Sequence, residues 1–163
     1  HGGRHHGRQG GDILNADSYE QRADALLEKT CYVMDYLPEP APTGAPGQLV
    51  AVENYLLNQF DRFALRQRLT AALLKLMCYR RVAVRRNGWT DSPQPKLVES
   101  AVKELMQNHS GTLYMLLPED DALLVLDWDS LYISVYNAPK QLRRLLKSIA
   151  QSENLAWRRS KPG

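Results

Sequence analysis

Two apolar runs separated by four residues constrain this chain more than any other feature of its sequence. Residues 122–126 (ALLVL) contain no polar side chain, which is typical of a strand that is covered on both faces of a sheet. Residues 131–136 (LYISVY) are rich in β-branched and aromatic types and alternate in polarity. The connection 127–130 (DWDS) is rich in residue types that favour turns. The pattern therefore predicts a β-hairpin.

The second run of the hairpin leads directly into a predicted helix. Tyr132, Ser134 and Tyr136 share one face of the run, and we expect that face to be only half covered. Leucine and isoleucine recur at helical spacing over residues 139–151, with Asn137 placed as an N-cap. We expect this helix to dock on the hairpin and bury its apolar stripe there.

The length of 163 residues is usual for a single domain and allows a core without a disulfide or metal staple. We expect the folded domain to cover residues 17–158. The Gly/His/Arg-rich start predicts a flexible leader or vector-derived remnant over 1–16, and we expect a disordered tail over 159–163. Without Arg4 and Arg8 of the first 11 residues, the rest of the chain has 19 basic and 18 acidic residues and is nearly neutral.

Other apolar patterns predict the remaining elements. Helices are predicted over 18–29, over 60–77 and after Pro93. Strands are predicted over 31–37, 49–57, 80–86 and 155–157. We expect the strand 49–57 to pair antiparallel with 31–37. Residues 113–117 fit either a short strand or a buried helical turn. Because hairpin signals argue against a purely parallel sheet, the predicted fold class is α+β. We expect a single domain with an antiparallel or mixed β-sheet packed against three to four helices.

The cysteines and the missing motifs limit the classes of function. Cys31 and Cys78 do not form a CxxC pair, and we expect free, buried thiols in a reducing cytoplasm, with a disulfide between them left open. No apolar stretch is long enough to span a membrane, so no membrane partner is expected. Neither GxGxxG nor GxxxxGK occurs, and no cofactor is expected.

Carboxylates flank the first run of the hairpin at both ends, as Glu119, Asp120, Asp121, Asp127 and Asp129. An extended strand separates the two groups by roughly 20 Å, so they cannot form one cluster. Asp127 and Asp129 alone would suit a divalent cation, which makes a metal-dependent hydrolase one alternative function. Turns also recruit aspartate for backbone hydrogen bonds, so we assign no metal ligand.

Acid–base catalysis has two further candidate positions. Asp35 is the odd polar member of an apolar run, and with Glu53 it would suit acid–base work if neighbouring strands brought the two together. An enzyme requires a concave pocket that joins at least two of Asp35, Glu53, Asp127, Asp129 and His109. His109 follows a predicted helix, where interaction with the helix dipole is the simple explanation. We therefore assign no catalytic residue.

Basic side chains gather in two parts of the sequence and suggest nucleic-acid binding as the other alternative. If both groups face one side, they would attract phosphates, with a tryptophan available for stacking. The simpler interpretation is a solvated surface balanced by acids. The candidate residues are Arg80, Arg81, Arg85, Arg86, Arg143, Arg144 and Lys147.

The preferred function from sequence is non-enzymatic binding of another macromolecule, as in an inhibitor or immunity protein. A carboxylate-rich end favours association with a basic protein partner through complementary fields. Tyrosine and tryptophan are frequent interface anchors, although the same residues also serve as half-buried sheet cover. The hypothetical binding surface comprises Asp127, Trp128, Asp129, Tyr132 and Tyr136. The oligomeric state is left open.

Overall fold

Seven antiparallel strands form one sheet in the part of the chain that the computed structural model describes, residues 16–41, 48–58 and 64–160. The strands are β1 (Cys31–Asp35), β2 (Ala83–Arg85), β3 (Trp89–Asp91), β4 (Thr112–Leu117), β5 (Ala122–Asp127), β6 (Tyr132–Tyr136) and β7 (Ala156–Arg159). Their order in the sheet is β3-β2-β4-β5-β6-β1-β7. The helices within those ranges are α1 (16–26), α2 (Gln48–Asn58), α3 (Leu65–Met77), α4 (Pro95–Gln107) and α5 (Lys140–Ser152).

The α+β class and the antiparallel sheet are confirmed, with one helix more than the upper expectation among the described residues. The hairpin is the centre of the sheet: β5 pairs with β6, and Leu124 lies opposite Val135. The open choice at 113–117 is resolved as a strand, because β4 pairs along its whole length with β5. Strand β3 returns antiparallel to β2 through a tight turn at Gly88, where φ is 125°.

The sheet has two differently covered faces. The first face packs against α3, α4 and α5, and its core includes Leu124, Ile133 and Val135. The second face is covered by α1 at the β2–β4–β5 side only. There Tyr19, Ala23 and Leu26 pack on Ala83, Leu116 and Leu123. Helix α1 therefore does not cover the half of the second face that β6, β1 and β7 form.

Residues 49–57 lie in helix α2, so the predicted strand is wrong. Valine content favoured a strand, yet Leu49, Glu53 and Leu56 follow the i, i+4, i+7 spacing of one helix face. Leu56 and Leu57 join the core of the first face. The predicted neighbour of β1 is consequently wrong too, because β1 pairs with β6 and β7.

Two smaller predictions are corrected, the N-cap at Asn137 and the burial of the cysteines. Asn137 is not the N-cap of the last helix, because the cap is Pro139. Asn137 instead adopts φ 63° and donates its side-chain amide to the Asp121 carbonyl oxygen at 2.8 Å. Cys78 is free but exposed, not buried, whereas Cys31 is free and half-buried.

Helix α3 begins at Leu65, after Ala64 in the left-handed region at φ 54°. The earlier part of the predicted 60–77 helix, residues 60–63, lies outside the described residues, as do residues 1–15 of the predicted leader. The last strand includes Arg159, the first residue of the predicted tail. Within the described residues, no helix combines the length and apolar character needed to cross a membrane.

Candidate functional site

A cavity of about 420 Å³ lies over the half of the second face that α1 leaves uncovered. Strand alternation places every second side chain of β6, β1 and β7 on its floor. The N-terminal half of α2 and the segment after β1 supply its walls. The polar residues lining the cavity are Cys31, Asp35, Glu53, Tyr132, Ser134, Tyr136, Arg158 and Ser160. The fold therefore gathers eight polar side chains into one concave surface.

An ion pair lies at the base of the cavity. Asp35 is only 3% exposed, and its Oδ2 accepts a hydrogen bond from Arg158 Nη2. The other carboxylate oxygen accepts the backbone N–H of Leu37 at 3.1 Å. The Nε of Arg158 is buried and has no hydrogen-bond partner among the described residues. The base of the cavity is therefore nearly neutral, and the Nε–H of Arg158 is a donor without an acceptor among the described residues.

Glu53 of α2 adds an excess of negative charge to the cavity. Its pKa is raised, chiefly because burial removes water from the carboxylate, and further because the charges of Asp129 and Asp35 repel its own. Asp35 is already neutralised by Arg158. A cation placed in this cavity would relieve the repulsion and favour ionised Glu53.

The Tyr136 hydroxyl and the Cys31 thiol in the cavity are in their protonated forms at neutral pH. Burial raises the pKa of Tyr136, and the neighbouring Cys31 raises it further. Burial likewise raises the pKa of the Cys31 thiol. A thiol with a raised pKa is a poor nucleophile, so Cys31 is not equipped for covalent catalysis. Tyr132 is 38% exposed and lies at the rim of the cavity.

The structure divides the predicted hairpin surface. Tyr132 and Tyr136 line the cavity, and Asp129 lies close enough to raise the pKa of Glu53. Asp127 instead accepts a hydrogen bond from the Thr112 hydroxyl on the neighbouring strand.

Trp128 points to the opposite side of the sheet from the cavity. It packs against the core of the first face, and the ring of His109 meets its indole edge-on at 5.6 Å. Only part of the predicted surface therefore belongs to one site. Within the described ranges, no group of three or more histidine, cysteine or acidic residues is arranged to hold a metal ion.

Asp35 and Glu53 do meet in one concave cavity, although Glu53 reaches it from a helix and not from a neighbouring strand. Sequence reasoning missed Arg158, because the predicted strand 155–157 ends one residue before it. A signal was present: an aspartate inside the apolar run 31–37 needs a partner when buried. Alternation in β7 puts one of its two arginines on the same face as Asp35.

The arginines near β2 are paired with carboxylates from elsewhere in the fold. Arg80 Nε lies 3.0 Å from Asp120, and Arg85 Nε lies 3.2 Å from Glu20. Arg81 contacts both Asp91 and Glu119, at 3.5 Å and 3.8 Å. Arg86 packs its guanidinium against Gly111, and its Nε is buried. Most of this charge is therefore compensated.

The second basic group lies on α5, far from β2. Arg143 of α5 lies over the ring of Tyr32 in β1. Four strand steps, about 19 Å, separate β1 from β2 in the sheet. Helix α5 also covers the first face, whereas Arg85 contacts α1 on the second. The two basic groups thus occupy different surfaces.

No protein family, curated protein or solved structure matches this chain. Function has to be argued from the chemistry of its sites.

Proposed function

We propose that this protein binds a partner protein and takes one basic side chain of that partner into the cavity between β6, β1, β7 and α2. The observation that carries the proposal is the pair of carboxylates, Glu53 and Asp35, in one cavity with a single arginine. None of the ion pairs among the described residues includes Glu53 or Asp129. A guanidinium or ammonium group would supply the missing positive charge.

The size of the cavity supports a single side chain as its occupant. Ligand pockets range from about 300 to 1,000 Å³, and this one is near the lower limit. Tyr132 at the rim and Tyr136 on the floor offer aromatic surface to the aliphatic stem of a lysine or arginine.

The surroundings of the cavity support a protein as the source of that side chain. Helix α2 exposes three large apolar residues: Val50 at 60%, Val52 at 48% and Tyr55 at 47%. With Tyr132 they account for four of the seven exposed large apolar side chains among the described residues. Exposed apolar groups concentrated beside a charged cavity are typical of protein interfaces.

The proposal is tested with two peptides that differ at one position, Ac-Ala-Leu-Arg-Leu-Ala-NH2 and its Arg-to-Gln analogue. The arginine peptide is expected to shift the amide resonances of Tyr132 and Ser134 in NMR titrations. Its affinity should exceed that of the glutamine peptide by about 10-fold or more, since a hydrogen bond to a charged group contributes about 1.5–3 kcal/mol. Equal binding of both peptides would overturn the proposal.

A matched pair of variants tests whether the preference for the arginine peptide depends on the cavity. Glu53→Gln removes one carboxylate from the cavity and should abolish the preference for arginine. Glu28→Gln removes one exposed carboxylate after α1 and should leave the preference unchanged. A loss in both variants would indicate a response to net charge alone.

Acid–base catalysis is the second candidate, because two carboxylates in different environments share the cavity. Asp35 is held by Arg158, while Glu53 has a raised pKa, the arrangement that separates base and acid roles. Turnover of a panel of 4-methylumbelliferyl glycosides and esters, lost in Glu53→Gln, would favour this candidate. No turnover of any of them would leave binding as the function.

We also propose that the protein is cytoplasmic. Both cysteines are free, and Cys78 is exposed. A reducing compartment keeps such a thiol from forming mixed disulfides, which supports this location.

A further inference from the structure

We propose a second binding site, on the opposite side of the sheet, that binds single-stranded nucleic acid through its phosphates. Its residues lie on α5 and β7, and we call them the basic face: Lys140, Arg143, Arg144, Lys147 and Arg159. The inference is independent of the proposed partner-binding cavity, which lies on the second face.

The charge of the basic face is not compensated. Helix α5 contains no acidic residue, and the first one after it, Glu153, pairs with Lys75 of α3. None of the ion pairs among the described residues includes a member of the basic face. The arginines near β2 differ in this respect, because Arg80, Arg81 and Arg85 all contact carboxylates.

The geometry of α5 concentrates its cations. At about 100° per residue, the four basic residues of α5 fall within an arc of about 100°. The buried residues Leu142, Leu146 and Ile149 lie on the other side of the helix, so the arc faces solvent. Lys140 and Lys147 are about 10 Å apart along the axis, which suits contacts to successive phosphates of one strand.

A small polar cavity of about 270 Å³ lies where α5 begins. Its lining includes two arginines and no acidic residue: Thr30, Tyr32, Asn137, Ala138, Arg143 and Arg159. Arg143 is already positioned, since its Nη1 donates to the Ala138 carbonyl at 2.9 Å and its guanidinium lies 5.4 Å from the Tyr32 ring centroid.

The start of the helix lies next to this cavity and has further donors. The N-cap residue Pro139 provides no side-chain hydrogen bond, so the first N–H groups of α5 are not capped by a side chain. Two guanidinium groups that line one cavity beside a helix N-terminus favour a phosphate group as the occupant.

The surroundings favour nucleic acid over a membrane. A helix that binds a membrane turns apolar residues outward, but the apolar side of α5 is buried in the core. None of the exposed large apolar residues among those described lies on α5 or β7. An aromatic pair instead adjoins the cavity, with Tyr32 and Trp157 stacked at 5.3 Å and an interplanar angle of 3°. Aromatic rings beside cationic groups are typical of single-strand binding.

The test is fluorescence anisotropy with a fluorescein-labelled oligo-dT 20-mer at several salt concentrations. Five phosphate contacts predict a slope of about −3.5 in log K against log[salt], because single strands contribute about −0.7 per contact. This slope corresponds to a loss of about 100-fold in affinity between about 50 and about 200 mM NaCl. No binding at the lower salt concentration would overturn the inference.

Two triple variants with the same change of net charge test the location. Lys140→Gln/Arg144→Gln/Lys147→Gln replaces exposed residues of the basic face and should weaken binding by more than about 10-fold with a shallower slope. Lys29→Gln/Lys96→Gln/Lys103→Gln replaces exposed lysines elsewhere and should change affinity little. Equal losses in both would show a response to net charge alone and overturn the inference.

Further variants and probes separate the remaining outcomes. Arg159→Gln tests the phosphate cavity alone and should weaken oligonucleotide binding, whereas Glu53→Gln should not. Phosphatidylserine vesicles and polyglutamate serve as other polyanions. Tighter binding to either of them than to oligo-dT, with the same dependence on the basic face, would overturn nucleic acid as the ligand.

Discussion

Replacing Arg158 with methionine should destabilise the protein strongly, because it leaves the carboxylate of Asp35 buried without its cation. Removal of one partner from a buried ion pair costs about 3–5 kcal/mol. The side chains of Asp35 and Arg158 are 4% and 22% exposed, so partial hydration on the arginine side places the expected cost near the lower limit, about 3 kcal/mol. Methionine keeps most of the aliphatic stem, which limits the loss of packing.

Urea unfolding followed by far-UV circular dichroism measures this effect. The midpoint should fall with an unchanged m-value, since the change is in stability and not in the surface exposed on unfolding. The double variant Asp35→Asn/Arg158→Met should recover part of the loss, because neither buried charge remains.

Arg159→Met is the matched control, because Arg159 is the next residue of the same strand and is exposed. It should change the free energy of unfolding by less than about 0.5 kcal/mol. If Arg158→Met costs no more than this control, Asp35 is hydrated, and the pairing of β1 with β7 that places Arg158 beside it is refuted.

Three other predictions follow from single residues. Glu53→Gln should stabilise the protein at neutral pH. Because the pKa of Glu53 is raised, the folded state binds more protons than the unfolded state, and wild-type stability falls as pH rises from about 4.3 through the folded pKa. The variant lacks this loss of stability. The thermal unfolding midpoints of the two proteins, measured from about pH 3 to about pH 7, should therefore converge at the acidic end. A difference in midpoint that stays constant with pH would contradict the account. Gly111→Ala should lower the free energy of unfolding in urea by about 1–3 kcal/mol, since φ is 92° and a Cβ would lie 2.5 Å from Nη1 of Arg86. An unchanged urea midpoint would contradict this prediction. Mass spectrometry after iodoacetamide should show alkylation of exposed Cys78 before half-buried Cys31, whose thiol has a raised pKa, and the reverse order would be incompatible with the structure.

The sequence predicted the hairpin well because two independent signals agreed there. Alternation in 131–136 defined the two faces of β6, and the turn-forming connection fixed which run it pairs with. Segment 49–57 lacked such agreement, because a short run of valine and leucine suits a strand as well as a buried helix. The helical spacing of this segment is visible only when Glu53 is counted, with Leu49 and Leu56, as a residue that faces the protein interior.

The position of β1 could not be predicted from local patterns. Inserting it between β6 and β7 joins residues about 100 positions apart, and no turn or spacing in the sequence encodes that pairing. The cavity depends on this insertion, since Asp35 and Arg158 meet only through it. Asp35 was identifiable as unusual, but its partner was a property of the tertiary structure. Asn137 failed as a cap because its side chain bonds the Asp121 carbonyl.

Proton release during peptide binding tests the central claim most directly. A cation beside Glu53 must lower the pKa that burial and the charges of Asp129 and Asp35 have raised. Calorimetric titration of the arginine pentapeptide, in two buffers of different ionisation enthalpy from about pH 4 to about pH 7, should show protons released on binding and weaker affinity as pH falls. The release should disappear in Glu53→Gln. Binding without proton release, or with the same release in Glu53→Gln, would contradict a basic group seated in this cavity.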